Sequence, residues 1–376
     1  MKRVIETSHA IALAVKLARV KVIPMYPITP QTHIVERLAE FINNGTLDAK
    51  MIHVESEHSA ISALQGALLS NVRAFTATSS QGLALMFEIL QIISGMRLPA
   101  VMVIANRALS APINIWNDHS DAFAVRDQGW MQIFAETAEE ALDSVLMAYK
   151  LAESKEVQIP IMVNIDGYSL SHVYEPVDIP SQTLVDSFLP KFKLEDYLDI
   201  NNPKTFGPIG FPDSYMYFKE AQHKAMKNAE KRIKEINREF KKKFKRSYGN
   251  GLVEEYKIED AETVFVCLGS ICGTAREAVD QLRVKGKKAG LLKLRYIRPW
   301  PSKSIRKALN KAEKIAVFDR AFSFGSEAPL YTELKATLQD KQINSYVVGL
   351  GGRDVTIEHF KKAYRMCSKN KNGWLY

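Results

Sequence analysis

Cysteine is scarce in this sequence: Cys267, Cys272 and Cys367 are the only three in 376 residues. Three thiols cannot build a disulfide framework, nor can they supply the four thiolates of an iron–sulfur cluster. Cys267 lies in the apolar run VFVCLGS, where a packed core thiol is the expectation. This usage points to a reducing, cytoplasmic compartment. Long apolar runs are also missing. None approaches ~20 residues, so no membrane span and no membrane partner are expected. The opening MKRVIETSHAIALAVKLARV carries charges at Glu6, Lys16 and Arg19 and no small-residue cleavage site. It reads as an amphipathic helix, not as a signal peptide. There is no internal repeat and no low-complexity tract. What remains is an ordinary globular balance, 46% hydrophobic and 25% charged, which excludes disordered, collagen-like and fibrous classes. The length suits two to three domains at ~150 residues each.

The formal charge of +9 is concentrated in one place. Twelve Lys/Arg and four Glu fall between Lys219 and Arg246, a net of +8, which leaves +1 for the rest. Ala225, Ala229, Ile233, Ile236, Phe240 and Phe244 recur there every three to four residues, the stripe of an amphipathic helix. Such a helix can simply show a solvated basic face, or it can dock an acidic partner protein. A single basic stripe without a recognition motif does not argue for nucleic acid, and none is expected as a partner.

Residues 1–166 alternate helical and strand-like patterns. The strand-like runs are VKVIPMY (20–26), MIHV (51–54), VRAFTAT (72–78), PAVMVIAN (99–106) and IPIMVNID (159–166). Helical stretches lie between them: Glu6–Arg19, Pro30–Asn43, Glu57–Ser70, Gln81–Gly95 and Ala138–Glu153. Apolar runs separated by helices imply buried parallel strands in an α/β domain. Residues 167–260 break the rhythm with six prolines between 176 and 212 and then the basic helix, and they read as a connecting segment. Residues 261–376 resume the α/β pattern as a smaller second domain.

Ligands bind at the carboxyl ends of strands in an open parallel sheet. That rule selects four loops: Tyr26-Pro27-Ile28-Thr29-Pro30, Glu55-Ser56-Glu57-His58, Thr78-Ser79-Ser80-Gln81-Gly82 and Asn106-Arg107-Ala108. Together they offer a hydroxyl, two carboxylates, a serine-rich helix start and a guanidinium, a set suited to a carboxylate substrate and a basic heterocycle. Each residue also has a plainer role. Thr29 could cap a helix, Glu57 could answer a helix dipole, TSSQG could cap the next helix, and Arg107 could form a surface ion pair. The long polar loop Arg107–Gly129 holds Asp118, His119 and Asp121, which could be metal ligands, although a hydrogen-bonded loop at a subunit contact fits better. The GLGG run at 349–352 is only loosely like a dinucleotide turn.

The runs YPITPQT, VESEHSAISALQGALLSNVRAFTATSSQGLALM and SGMRLPAVMVIANRALSAPINIWNDHSD resemble the alpha subunit of pyruvate:ferredoxin oxidoreductases, within the 2-oxoacid:ferredoxin oxidoreductase family. The likeness continues through FPDSYMYFKEAQHKAM, DRAFSFGSEAPLYTEL and GLGGRDVT, essentially the whole chain. It implies a thiamine diphosphate pyrimidine-binding domain followed by a transketolase C-terminal-like domain. It assigns Glu57 to N1′ of the aminopyrimidine, as an indirect acid/base group and the catalytic residue. Pro27 and Ile28 become the backbone beside the pyrimidine, and Thr29 and Arg107 the binders of the 2-oxoacid. Glu55 is the alternative to Glu57 should the match be displaced by two residues.

The same likeness marks what is absent. Mg²⁺ on the diphosphate is usually held by a Gly-Asp-Gly segment, and none occurs. The chain thus holds half a site. A beta subunit is expected to bring the diphosphate, Mg²⁺ and a 4Fe–4S cluster. Gamma and delta subunits are expected to bring the coenzyme A region and a ferredoxin-like module. The implied reaction is reversible oxidative decarboxylation of pyruvate to acetyl-CoA and CO₂ with reduction of ferredoxin. A branched-chain or aryl 2-oxoacid is the alternative substrate, and a non-catalytic scaffold subunit the alternative of another class.

Overall fold

The structure, a computed structural model, describes residues 2–376. Its first sheet is built from the runs that the apolar pattern marks. The strands Phe75–Thr78, Val101–Asn106, Ile161–Asp166 and Met131–Phe134 lie side by side and parallel. Val22–Met25 pairs in parallel with Lys50–His53, and a bridge from Val22 to Ala74 brings that pair alongside. Val101–Asn106 and Ile161–Asp166 are buried at every residue, which explains their unbroken apolar character. Met131–Phe134 was not legible as a strand. It is four residues long and interrupted by Gln132, whose buried amide donates to the Ala122 carbonyl at 3.1 Å.

The amino-terminal reading needs correction. Lys2–Glu6 is a strand, antiparallel to Tyr174–Asp178, and the helix begins only at Thr7. That helix, Thr7–Leu17, is not amphipathic in the fold. Ala10, Ile11, Ala12, Ala14 and Val15 are all fully buried, because Thr32–Asn43 and Ala138–Ala152 both pack on it. The stretch read as one helix over Gln81–Gly95 is two, Ser80–Leu85 and Phe87–Gly95, joined at Met86.

The second sheet has six strands, in the order Gly373–Leu375, Gln342–Val348, Lys314–Asp319, Thr263–Cys267, Ala289–Leu294 and Val253–Tyr256, the last antiparallel. The run KAGLLKLRYI is divided between the two sheets. Ala289–Leu294 belongs to the second, whereas Tyr296–Arg298 pairs antiparallel with Met131–Phe134 and closes the edge of the first. The turning point is Arg295, fully buried, whose carbonyl accepts from Phe134 N–H at 2.8 Å. A single apolar core runs through both units, from Ala10 and Ile133 to Leu294 and Ile315.

The basic helix spans Tyr215–Phe244, 30 residues, about 45 Å at ~1.5 Å per residue. Its buried side chains include all six of the apolar stripe. Lys241, Lys242 and Lys243 occupy its last turn, where positive charge offsets the negative end of the helix dipole.

Candidate functional site

Ser56 caps the helix Glu57–Leu69 by accepting from Ser59 N–H at 3.2 Å, which fixes Glu57 as the first helical residue. Glu57 is buried, and no hydrogen bond or ion pair to its carboxylate is found among the described residues. Opposite it stands Gly82. A Cβ there would come within 2.7 Å of Glu57 Oε1 and would also collide with Thr78 Oγ1. The glycine thus makes room for the carboxylate. Glu55, two residues earlier, is exposed and bonded to the Ser59 hydroxyl, which draws its pKa down. Of the two carboxylates only Glu57 faces inward.

Arg107 follows the neighbouring strand Val101–Asn106. Its guanidinium is buried and held by carbonyls: Nη1 donates to Thr29 O at 2.9 Å and Nε to Asn114 O at 3.2 Å. No carboxylate lies within ion-pair distance of it among the described residues. A buried cation without a counter-ion is costly unless an anion completes it. The structure therefore joins Thr29 to Arg107, through backbone rather than through the hydroxyl. Thr29 and Pro27 are exposed and Ile28 half-buried, with the Ile28 carbonyl accepting from Gln31 N–H at 2.8 Å. Gln31 Nε2 donates to Ala77 O at 2.7 Å and so ties the Tyr26–Pro30 loop to the next strand end.

Asp121 is the residue that the sequence did not single out for its actual work. Its carboxylate accepts from Ser80 N–H and Arg107 N–H, each at 3.0 Å, and from the Asn106 amide at 2.9 Å. It thus clamps two strand ends together. Burial pushes its pKa up to about 7, against the pull of those donors. Asp118, His119 and Asp121 do not converge as a metal set. Asp118 accepts from Ser120 N–H at 3.0 Å, while His119 Nε2 meets Asp166 Oδ1 at 2.7 Å. Asp166 also receives Arg320 Nη1 and Ser270 N–H, each at 2.9 Å. Burial alone would raise the Asp166 carboxyl, but Arg320 and His119 outweigh it and hold it well below the carboxylate range. The loop Arg107–Gly129 is hydrogen-bonded, yet to the second unit of the same chain. Asn114 Nδ2 donates to Gly351 O at 3.1 Å, and Gly352 N–H to Asn117 O at 2.6 Å. This gives the GLGG run its role. Gly352 has φ +81° and leaves no room for a Cβ against Trp116, so the turn presses directly on the loop.

Three buried polar atoms along the same edge, Gln31 Oε1, Thr78 Oγ1 and Asn106 Oδ1, have no partner among the described residues. The edge thus presents an inward carboxylate, an unpaired guanidinium and spare hydrogen-bonding atoms. Fold and edge define a two-unit α/β protein with a polar candidate site on its first parallel sheet.

Residues 13–238 match the family described as pyruvate flavodoxin/ferredoxin oxidoreductase, thiamine diP-bdg, and residues 261–360 match pyruvate:ferredoxin oxidoreductase core domain II. A pyruvate synthase subunit PorA of Methanothermobacter thermautotrophicus is 52% identical over 363 residues, covering 96% of this chain and 94% of that protein. The PorA of Thermotoga maritima is 47% identical over 374 residues, covering 97% and 95%. A ketoisovalerate oxidoreductase subunit VorA of Pyrococcus horikoshii is 46% identical over 366 residues, covering 96% and 92%. A solved 2-oxoglutarate:ferredoxin oxidoreductase from Magnetococcus marinus matches with TM-score 0.75 at 19% identity, over 98% of this chain and 65% of that one. A split-gene transketolase, an inactive beta4 tetramer, matches with TM-score 0.56 at 10% identity, over 98% and 100%. These two likenesses speak for the fold alone, and this chain spans just under two thirds of the first. The chain belongs to the pyruvate:ferredoxin oxidoreductase family, oxidoreductases of the EC 1.2.7 type. No helix among the described residues is long and apolar enough to cross a membrane.

Proposed function

We propose that this chain is the alpha subunit of a multi-subunit, thiamine diphosphate-dependent 2-oxoacid:ferredoxin oxidoreductase that acts on pyruvate. The observation that carries the reading is Glu57: a buried, inward carboxylate without a partner, given its space by Gly82. Such a group suits a nitrogen heterocycle that brings its own N–H donor, as the cofactor's aminopyrimidine does. Thiamine diphosphate, when bound, supplies the nucleophilic carbon and the electron sink that cleavage beside a carbonyl requires. Glu57 would hold the ring by N1′ and move the proton there. Pro27 and Ile28 supply backbone beside it. Arg107, fixed by the Thr29 and Asn114 carbonyls, would take the substrate carboxylate, with the exposed Thr29 hydroxyl next to it.

The sequence holds no Gly-Asp-Gly segment of the kind that carries Mg²⁺ on the diphosphate, and in this reading beta, gamma and delta subunits bring the metal, 4Fe–4S clusters, coenzyme A and ferredoxin contacts. Two PorA relatives at 52% identity favour pyruvate over the branched-chain 2-oxoacids suggested by the VorA relative at 46%. The test is the assembled complex carrying Glu57→Gln. Assembly should be retained and turnover should fall ~10²–10⁴-fold, as for loss of a general acid/base. Turnover within a few-fold of the unaltered complex would refute the assignment. Rates on pyruvate and on 2-ketoisovalerate, measured side by side, decide the substrate.

A further inference from the structure

A second cluster surrounds the buried carboxylate of Glu6. This residue ends the strand Lys2–Glu6 and is only 4% exposed. His33 Nδ1 meets its Oε1 at 2.7 Å, the one hydrogen bond to the Glu6 carboxylate found among the described residues. The His172 ring lies 4.3 Å from the His33 ring, centroid to centroid. One oxygen of Glu6 and one ring nitrogen of each histidine all fall within 4.8 Å of one another.

We propose that Glu6, His33 and His172 bind one divalent transition cation of the zinc class. Two imidazoles and a carboxylate with an open position form a recognised donor set for zinc, whereas magnesium prefers oxygen ligands alone. A second group of candidate ligands among the described residues is a useful contrast. Glu136, Glu140 and Glu254 surround Lys293 Nζ at 2.9, 2.7 and 2.5 Å, so that site carries its cation already. Glu6 has no lysine or arginine within ion-pair distance among the described residues, and its imidazole partner is half-exposed.

The surroundings hold the donors in place. Ser171 Oγ lies 2.7 Å from His172 Nδ1, the kind of partner that orients a ligating imidazole. Ser171 Oγ also accepts from Tyr168 N–H at 2.9 Å, and Ser171 N–H donates to Asp166 O at 3.0 Å. His172 is thereby tied to the end of the strand Ile161–Asp166. His33 sits in the first turn of Thr32–Asn43, three residues after Pro30. A bound cation would join the amino-terminal strand, that helix and the turn after Asp166, and would brace the base of the Tyr26–Pro30 loop. The site is independent of the thiamine reading and stands or falls without it.

The full-length chain, freed of metal with a chelator and dialysed, should take up one Zn²⁺ per chain at micromolar free metal, with a rise in Tm from mass action. Co²⁺ in the same site should show the visible absorption of a four- or five-coordinate centre. His33→Leu and His172→Leu should each weaken uptake at least ~10-fold and abolish the rise in Tm. Glu6→Gln should do the same, and it serves as the third variant if one of the others fails to fold by circular dichroism. Millimolar Mg²⁺ should neither bind there nor compete. Absence of stoichiometric uptake, or uptake that is unchanged in the folded histidine variants, would overturn the proposal.

Discussion

At the scale of the residue, a missing side chain matters as much as those present. Gly82 lies in the helix Ser80–Leu85 without a left-handed φ, so alanine suits its backbone and would favour the helix by ~1 kcal/mol. The added methyl would nevertheless push Glu57 aside. The methyl also overpacks against the buried Thr78, at ~1–3 kcal/mol, so Gly82→Ala in the assembled enzyme should melt only slightly lower than the parent, yet on the proposed role of Glu57 lose about 10²-fold in turnover, the scale of an ångström's misplacement of a reacting group. Calorimetry and steady-state rates on one preparation separate the two effects, and full activity would mean that Glu57 tolerates the shift. On the proposed role, Arg107→Ala removes charge-assisted hydrogen bonds to the substrate carboxylate, and KM for the 2-oxoacid should rise about 10–100-fold. KM for coenzyme A should not follow, and equal rises in both would count against the role. The placement of Glu57, Thr29 and Arg107 after successive parallel strands was legible in the sequence, because apolar runs mark the strands and polar loops follow them. Gly82 and Asp121 were not. A glycine in a helix and an aspartate in a polar loop acquire meaning only when Glu57, Ser80 and Arg107 arrive from elsewhere in the chain.

Among the elements, the long helix Tyr215–Phe244 was the most readable, since its stripe is local and repeats over 30 residues. Phe240 is fully buried, stacked on Phe244 at 4.1 Å and set edge-on to Phe188 at 5.3 Å. Phe240→Ala should cost ~3–5 kcal/mol in denaturant unfolding. Lys242→Ala, on the exposed face, should stay within ~0.5 kcal/mol. Comparable losses in both would show that the basic face, too, is structural. Short elements were harder to read. Lys2–Glu6 became a strand because a distant segment, Tyr174–Asp178, offers it a partner, and no local pattern announces that.

Over the whole molecule, the two units are fastened by buried charge. Glu140, in the helix Ala138–Ala152, meets Lys293 at 2.7 Å and Arg295 Nε at 2.6 Å, both from the second half of the chain. Burial alone would raise the Glu140 carboxyl, but the two cations overcome it and hold its pKa at about 2, below the ordinary 4.5. Between those values the unfolded chain binds the extra proton. The stabilisation is therefore complete above pH 4.5 and is lost as pH falls through about 2. Glu140→Gln should cost ~3–5 kcal/mol at neutral pH, since it leaves the buried Arg295 without its carboxylate and takes one of three from Lys293, and should flatten the acid limb of the stability curve. Urea titrations from neutral pH downward read both effects, and parallel acid limbs in the two proteins would contradict the linkage. None of this network was visible beforehand, because charged residues scattered through two α/β patterns give no sign that they will meet.

The crossing of Tyr296–Arg298 onto the first sheet bears on how this polypeptide can be handled. A fragment stopped near residue 260 would leave Met131–Phe134 as a bare, sticky border, its backbone groups free to recruit a neighbouring copy. The catalytic-type half cannot be lifted out as a portable module. A strand from the second half is sewn into the border of the first, so anyone cutting the polypeptide must keep the two together.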